Sequence, residues 1–133
     1  MTAPAFNTIA WFQVGTDQPD DAKRFYGGLF DWAFDADPNG GGNYDMVRYA
    51  GADAPAGGIA HLEDASGNHA IFMVLVEDVA AAVARAEELG GKVTVAATTT
   101  PDGLVFAHLL DSSGNHFGVF TPPPSDGLMS EGA

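Results

Sequence analysis

The side chains best suited to chemistry in this chain are its four histidines, His61, His69, His108 and His116. A neutral imidazole can act as a general base or coordinate a metal ion such as zinc or iron. The chain contains no cysteine, so thiolate metal sites, cysteine nucleophiles and disulfides are excluded. No two histidines stand at the short spacing of a metal motif, and no serine stands in a nucleophile elbow. Which histidines lie close together must therefore depend on the strands that carry them.

Strand periodicity predicts which polar residues share a face, because alternate residues of a strand point to the same side. The pairs that follow are Gln13 with Trp11, His69 with Ile71, and His116 with Gly118. His69 and His116 each follow a turn, so an exposed position at the rim of a sheet also explains them. His108 lies within an apolar strand, where it either faces a pocket or is a hydrogen-bonded core or surface histidine.

A pattern of strand, acidic residue and helix occurs twice, half a chain apart. Asp17 is predicted to cap a first helix whose residues Ala22, Phe25, Tyr26 and Leu29 form one buried face. Asp78 is predicted to cap a second helix, which residues 90–91 (GG) terminate. The predicted strands cover residues 7–14, 32–34, 44–49, 59–62, 69–76, 93–97, 104–110 and 116–120.

These elements read βαβββ twice, which predicts an α+β fold. The prediction is one domain over residues 1–122, with a first module at about 7–63, a second at about 69–121, and a disordered tail at 123–133. A repeated half-domain also predicts a concave site formed by the two halves together.

The chain is acidic, with 18 Asp and Glu against five Lys and Arg and a net charge of −13. The basic residues are scattered, which excludes a nucleic-acid-binding surface. Neither a signal peptide nor a membrane span is visible, so a cytoplasmic protein is expected. The acidity has two explanations: solubility through self-repulsion, or attraction of cationic ligands or metal ions.

Four segments together resemble the vicinal oxygen chelate superfamily, which includes glyoxalase I, bleomycin and fosfomycin resistance proteins, and extradiol dioxygenases. They are residues 25–32 (FYGGLFDW), 76–79 (VEDV), 89–93 (LGGKV) and 111–117 (DSSGNHF). The resemblance covers about residues 7 to 122 and implies paired βαβββ modules whose mixed sheet curls around a cup-shaped cavity. Many members are homodimers, so a homodimer is expected here.

The resemblance also implies where a divalent ion would be held. The ligand positions fall on the first strand around residues 9–11, near Ala60 or His61, at Ile71, and at Gly118. Three of these positions hold residues that cannot coordinate a metal through a side chain. No cofactor is therefore expected; the alternative is a divalent ion such as Zn, Ni, Mn or Fe at a displaced site made from His61, His69 and His116.

Two functions follow from the resemblance and these departures. The first is a metal-independent protein that sequesters an apolar or aromatic small molecule, such as an antibiotic, in the cup. The alternative is a glyoxalase-like or dioxygenase-like lyase or oxygenase with a displaced metal, or a metal-free enzyme that uses His108 or His69 as general base. The predicted ligand-binding residues are Trp11, Gln13, His69, Ile71, Met73, Phe106, His108, His116 and Gly118.

Overall fold

The computed structural model describes residues 5–38 and 42–123. Its elements are β1 (Thr8–Thr16), α1 (Pro19–Phe30), β2 (Ala33–Ala36), β3 (Tyr44–Arg48), β4 (Gly57–His61), β5 (His69–Leu75), α2 (Val79–Glu88), β6 (Lys92–Thr99), β7 (Val105–Leu110) and β8 (His116–Thr121). A 3₁₀ turn, Ala65–Gly67, precedes β5. The order βαβββ thus occurs twice, which confirms the α+β prediction. Residues 124–133 of the predicted disordered tail lie outside the described residues.

The chain divides into two units with the same strand topology. The first unit is residues 11–71 and the second is residues 1–10 with 72–133. The strand order is β2-β3-β4 and then most of β1 in the first unit, and β6-β7-β8 and then most of β5 in the second. The first and fourth strands of each module pair in parallel, β1 with β4 and β5 with β8, whereas β2–β3, β3–β4, β6–β7 and β7–β8 are antiparallel. The predicted half-chain repeat is therefore confirmed, while a cavity formed by both halves stays a prediction.

The core of the second unit forms where α2 packs on β7 and β8. Its buried residues are Val76, Val79, Ala107, Leu109 and Val119. Asp78 caps α2 as predicted, because its carboxylate accepts a hydrogen bond from the backbone N–H of Ala81 at 3.1 Å. Gly90 then ends the helix with a φ of 98°, a conformation that favours glycine.

The predicted inner face of α1 is wrong at Phe25 and Leu29, whereas Ala22 and Tyr26 are half-buried. Phe25 is 62% exposed and Leu29 is 59% exposed, and no residue of α1 is buried. The half-buried positions are Pro19, Ala22, Lys23, Tyr26 and Gly27. The helix is therefore rotated relative to the prediction, with Lys23 and Gly27 on the inner side in place of Phe25 and Leu29.

Two contacts account for this rotation of α1. The ring of Tyr26 stacks on Trp32, with 5.3 Å between centroids, and Trp32 contacts Phe12 of β1 at 5.3 Å. On the same side of the helix, the ammonium of Lys23 lies 3.4 Å from the carboxylate of Asp45 in β3. Hydrophobic periodicity treats a lysine as outward-facing, so a lysine with a buried partner shifts the helix away from the predicted phase.

Asp17 does not cap α1. The N-cap residue is Gln18, which makes no side-chain capping bond, and Pro19 follows in the first turn. Asp17 instead pairs with Asn68: its backbone N–H donates to Asn68 Oδ1 at 3.0 Å, and Asn68 Nδ2 donates to Asp17 Oδ1 at 3.1 Å. The Asp–Asn pair joins the end of β1 to the turn that leads into β5.

Both helices are short, with 12 residues in α1 and 10 in α2. A membrane-spanning helix needs about 20 apolar residues. Among residues 5–38 and 42–123, no helix is long and apolar enough to cross a membrane.

The core assignment can be tested by a matched pair of leucine truncations. Leu109 is 1% exposed, so Leu109→Ala should lower the free energy of unfolding by about 3 kcal/mol through lost burial and the cavity it leaves. Leu89 is 62% exposed, and Leu89→Ala should change stability by less than about 1 kcal/mol. Urea denaturation measures both; similar losses for the two variants would contradict the packing described above.

Candidate functional site

Four side chains on one face of the first unit form a continuous hydrogen-bonded chain. Trp11 Nε1 donates to Tyr44 Oη at 3.0 Å, and Tyr44 Oη donates to Gln13 Oε1, also at 3.0 Å. Gln13 Nε2 lies 3.1 Å from His69 Nε2. This face, which carries Trp11, Gln13, Tyr44 and His69, is called the Trp11 face below. The structure thus brings together three of the predicted residues and adds Tyr44, which was not predicted.

Two glycines make room for the rings of this chain. Gly58 of β4 pairs with Gln13 of β1, and a Cβ on Gly58 would overlap the ring of Tyr44. A Cβ on Gly15 would lie only 2.7 Å from both ring nitrogens of His69. Both rings therefore lie low against the sheet, on either side of the Gln13 amide, and a larger residue at either glycine would displace them.

The carbonyl of Gly67 sets the tautomer of His69. His69 Nδ1 lies 2.8 Å from the Gly67 oxygen, and a carbonyl oxygen only accepts, so Nδ1 carries the proton of the neutral ring. Nε2 is then an acceptor and takes a hydrogen bond from the amide N–H of Gln13. The Gln13 oxygen consequently faces Tyr44. The two partners, His69 and Tyr44, thus determine which end of the amide is oxygen and which is nitrogen.

Burial keeps the Tyr44 phenol protonated. Desolvation raises the pKa of Tyr44 to about 12, although the hydrogen bond from Trp11 partly opposes that rise. Tyr44 therefore remains a donor to Gln13 at any physiological pH.

In the second unit, the predicted residues also gather on one face. His108 and His116 form a hydrogen-bonded pair, with 2.9 Å between Nδ1 of the first and Nε2 of the second. His108 is buried, at 8% exposure, and the ring of Phe106 meets it edge-on at 5.8 Å. Gly118 pairs with both His108 and Met73, and a Cβ at Gly118 would overlap the thioether of Met73.

The residues at the implied metal positions do not fit a metal ion. Trp11 uses its only polar atom to donate to Tyr44, Ile71 is a buried hydrocarbon, and the Met73 thioether fills the space beside Gly118. Within the part of the chain that the structure describes, no group of three or more His, Asp or Glu side chains is arranged to hold a metal.

His61 and His69 point to opposite sides of the first unit's sheet. On β4, His61 has the opposite orientation to Gly58, which lies under Tyr44 on the Trp11 face. His61 Nε2 instead lies 2.6 Å from Asp45, on the side of α1. This geometry gives no support to a displaced metal site that includes both histidines.

Asp45, which sequence reasoning missed, is the centre of a buried ionic cluster. It is 7% exposed and contacts both His61 and the ammonium of Lys23. A buried carboxylate is tolerated only with such partners. The cluster joins α1, β3 and β4. It therefore stabilises the two strands, β3 and β4, that carry Tyr44 and Gly58.

A separate groove of about 460 Å³ runs beside α1. Phe25 and Tyr26 of α1 line one side, and Gly15, Asn68 and His69 line the other. Trp11, Gln13 and Tyr44 do not line it, so the groove meets the hydrogen-bonded chain only at His69.

The role of Asp45 can be tested with a matched pair of Asp→Asn variants. Asp45→Asn should lower the free energy of unfolding by about 2 kcal/mol, because the half-buried Lys23 then keeps only its exposed partner Asp20. Asp35→Asn removes the exposed ion pair with Arg48 and should have a much smaller effect. Urea denaturation measures both, and equal losses would show that the Asp45 cluster is no more than a surface ion pair.

The pKa of Tyr44 predicts a loss of stability at alkaline pH. The folded-state pKa, about 12, lies above the model value of 10.0, so the stabilisation is present below pH 10 and is lost as the pH rises through 12. Between these pH values the free energy of unfolding should fall by roughly 2 to 3 kcal/mol. Tyr44→Phe should remove this fall and the corresponding tyrosinate absorbance, whereas Tyr49→Phe should retain both. An unchanged pH profile in Tyr44→Phe would refute the assignment.

Three solved structures share the fold of this chain at low sequence identity. A Mn(II)-bound glyoxalase from Novosphingobium aromaticivorans has a TM-score of 0.60 and 20% identity, covering 89% of this chain and 40% of its own. A methylmalonyl-CoA epimerase from Mycobacterium tuberculosis has a TM-score of 0.60 and 16% identity, covering 93% and 94%. A 2,3-dioxygenase from Pseudomonas sp. KL28 has a TM-score of 0.58 and 12% identity, covering 87% and 42%.

These likenesses show the fold and leave the activity open. This chain spans less than half the length of the glyoxalase and of the dioxygenase. No curated protein matches the chain. The sequence model of the Glyoxalase/Bleomycin resistance protein/Dioxygenase superfamily matches residues 8–119, which include every strand from β1 to β7 and most of β8. The chain therefore belongs to the Glyoxalase/Bleomycin resistance protein/Dioxygenase superfamily.

Proposed function

We propose that this protein binds a small apolar or aromatic molecule on the Trp11 face, without a metal ion. The observation that carries the proposal is the hydrogen-bonded chain from Trp11 to His69. The resemblance predicts a metal ligand on the first strand, around residues 9–11. The indole of Trp11 stands there instead, on the face that carries the hydrogen-bonded chain.

The composition of the Trp11 face suits a small organic ligand. Trp11 and Tyr44 offer flat apolar surface, and Gln13 and His69 offer polar atoms that can orient a bound molecule. All four side chains are half-buried, so each keeps some surface in solvent. Their mutual hydrogen bonds hold them in place before a ligand arrives, which lowers the entropic cost of binding.

Sequestration of an aromatic natural product, including an antibiotic, is the function that these features support best. Binding of this kind needs a shaped apolar surface and few polar anchors, and it needs no reacting group. The superfamily includes bleomycin resistance proteins, which gives this proposal a precedent within the group.

A metal-free enzyme is the second candidate, and the His108–His116 pair is the observation that favours it. The hydrogen bond at 2.9 Å holds His108 in one orientation, as a general base requires. The metal-dependent alternative rests on relatives such as the Mn(II)-bound glyoxalase, whereas the described residues offer no group of three ligands.

Tryptophan fluorescence can test the binding proposal, because the chain has only two tryptophans. Trp32 lies in the aromatic cluster with Phe12 and Tyr26, so Trp32→Phe leaves Trp11 as the sole reporter. A thermal-shift screen of aromatic natural products and antibiotics, run with EDTA present, should yield ligands that raise the melting temperature. At a concentration a hundredfold above its Kd, a ligand adds about 2.7 kcal/mol to the stability.

Those ligands should change the Trp11 emission of Trp32→Phe and bind more weakly to Trp11→Phe. Elemental analysis of the purified protein is the control for a resident metal. Stoichiometric Zn, Ni, Mn or Fe, together with ligand binding that EDTA abolishes, would refute the proposal. Ligands that bind without any change in Trp11 emission would place the site elsewhere.

A further inference from the structure

The Gln13 amide is fixed from two sides and has hydrogen-bonding capacity left over. Its oxygen accepts one bond from Tyr44 and its nitrogen donates one to His69. A carboxamide can accept two hydrogen bonds and donate two. Among residues 5–38 and 42–123, Gln13 makes no other side-chain hydrogen bond, so one lone pair and one N–H remain.

The remaining donor and acceptor belong to one planar group that is hydrogen-bonded at both ends. The rings of its two partners, Tyr44 and His69, occupy the space where Cβ atoms would stand on Gly58 and Gly15. The C=O and the N–H of a carboxamide are neighbours in one plane. A carboxamide edge of this kind forms two parallel hydrogen bonds with a planar partner that has a neighbouring donor and acceptor, as in the pairing of Gln with adenine.

Anionic ligands do not suit this face. The basic residues of the first unit are Lys23, Arg24 and Arg48, and each is ion-paired with an aspartate. None of them contacts the hydrogen-bonded chain, and the whole chain carries a net charge of −13. A carboxylate or phosphate would therefore meet a carbonyl oxygen and a repulsive field, with no cation to neutralise it.

We infer that the Trp11 face takes a neutral, planar molecule with a hydrogen-bond donor and acceptor side by side on one edge, such as a lactam, a carboxamide or an amino-substituted nitrogen heterocycle. The edge pairs with the Gln13 amide, and the ring of the ligand packs against the indole of Trp11. This inference rests on the proposed function and specifies the chemistry of its ligand.

Three small probes of similar size test the inference on the Trp32→Phe protein. They are 2-pyridone, which has an N–H beside a C=O; N-methyl-2-pyridone, which lacks the donor; and benzoate, which is an anion with two acceptors. NMR detects the indole N–H of Trp11 as the only such signal. 2-Pyridone should shift it with an affinity about tenfold higher than either other probe, because each of them leaves one partner of the amide unpaired.

A matched pair of Gln→Glu variants locates the contact. Gln13→Glu replaces the amide donor with an acceptor and should weaken 2-pyridone binding about tenfold. Gln18→Glu makes the same change at an exposed position before α1 and should leave the binding unchanged. An equal loss in both variants would overturn the inference. The comparison of probes on the parent Gln13 protein stands even if Gln13→Glu does not fold.

The outcomes separate this inference from the proposed function. If all three probes shift Trp11 alike, the donor–acceptor inference is overturned while binding at the Trp11 face stands. If 2-pyridone leaves the Trp11 signal unchanged but a natural product from the screen shifts it, the inference again fails and the proposed function survives. If no compound shifts Trp11, both are overturned.

Discussion

The carbonyl oxygen of Gly67 is the fixed point on which the hydrogen bonding of the Trp11 face depends. It accepts from His69 Nδ1, and that one contact decides which nitrogen of the ring is an acceptor. The direction of the Gln13 amide follows, and then the direction of the Tyr44 hydroxyl. A backbone atom in a turn thereby determines what side chains on two strands can offer to a ligand.

Strand and helix positions could be predicted from the sequence because they depend on local periodicity and on caps such as Asp78. The phase of α1 could not, because it depends on Lys23 reaching a carboxylate in β3. Asp17 has the sequence of a cap but pairs with Asn68, a residue distant in the chain. In each case a partner remote in sequence overrides a local preference.

The same distinction explains the candidate site. Strand alternation was enough to group Trp11 with Gln13 and His116 with Gly118. That His108 lies opposite Gly118 depends on the register between β7 and β8. Tyr44 was missed because its role arises from Gly58 on the neighbouring strand, where the absence of a side chain lets the phenol ring descend onto the sheet. Hydrophobic periodicity cannot predict such a contact, because it depends on a glycine in one strand lying next to an aromatic ring of the neighbouring strand.

The contact between Met73 and Gly118 has a consequence for which substitutions this part of the sheet can accept. The thioether lies where any side chain on residue 118 would begin, so the two positions are mutually dependent. A side chain at position 118 would require the thioether end of Met73 to move aside, and a smaller residue at 73 alone would leave a void. The substitutions that position 118 accepts therefore depend on the residue at 73, an epistatic coupling between two neighbouring strands.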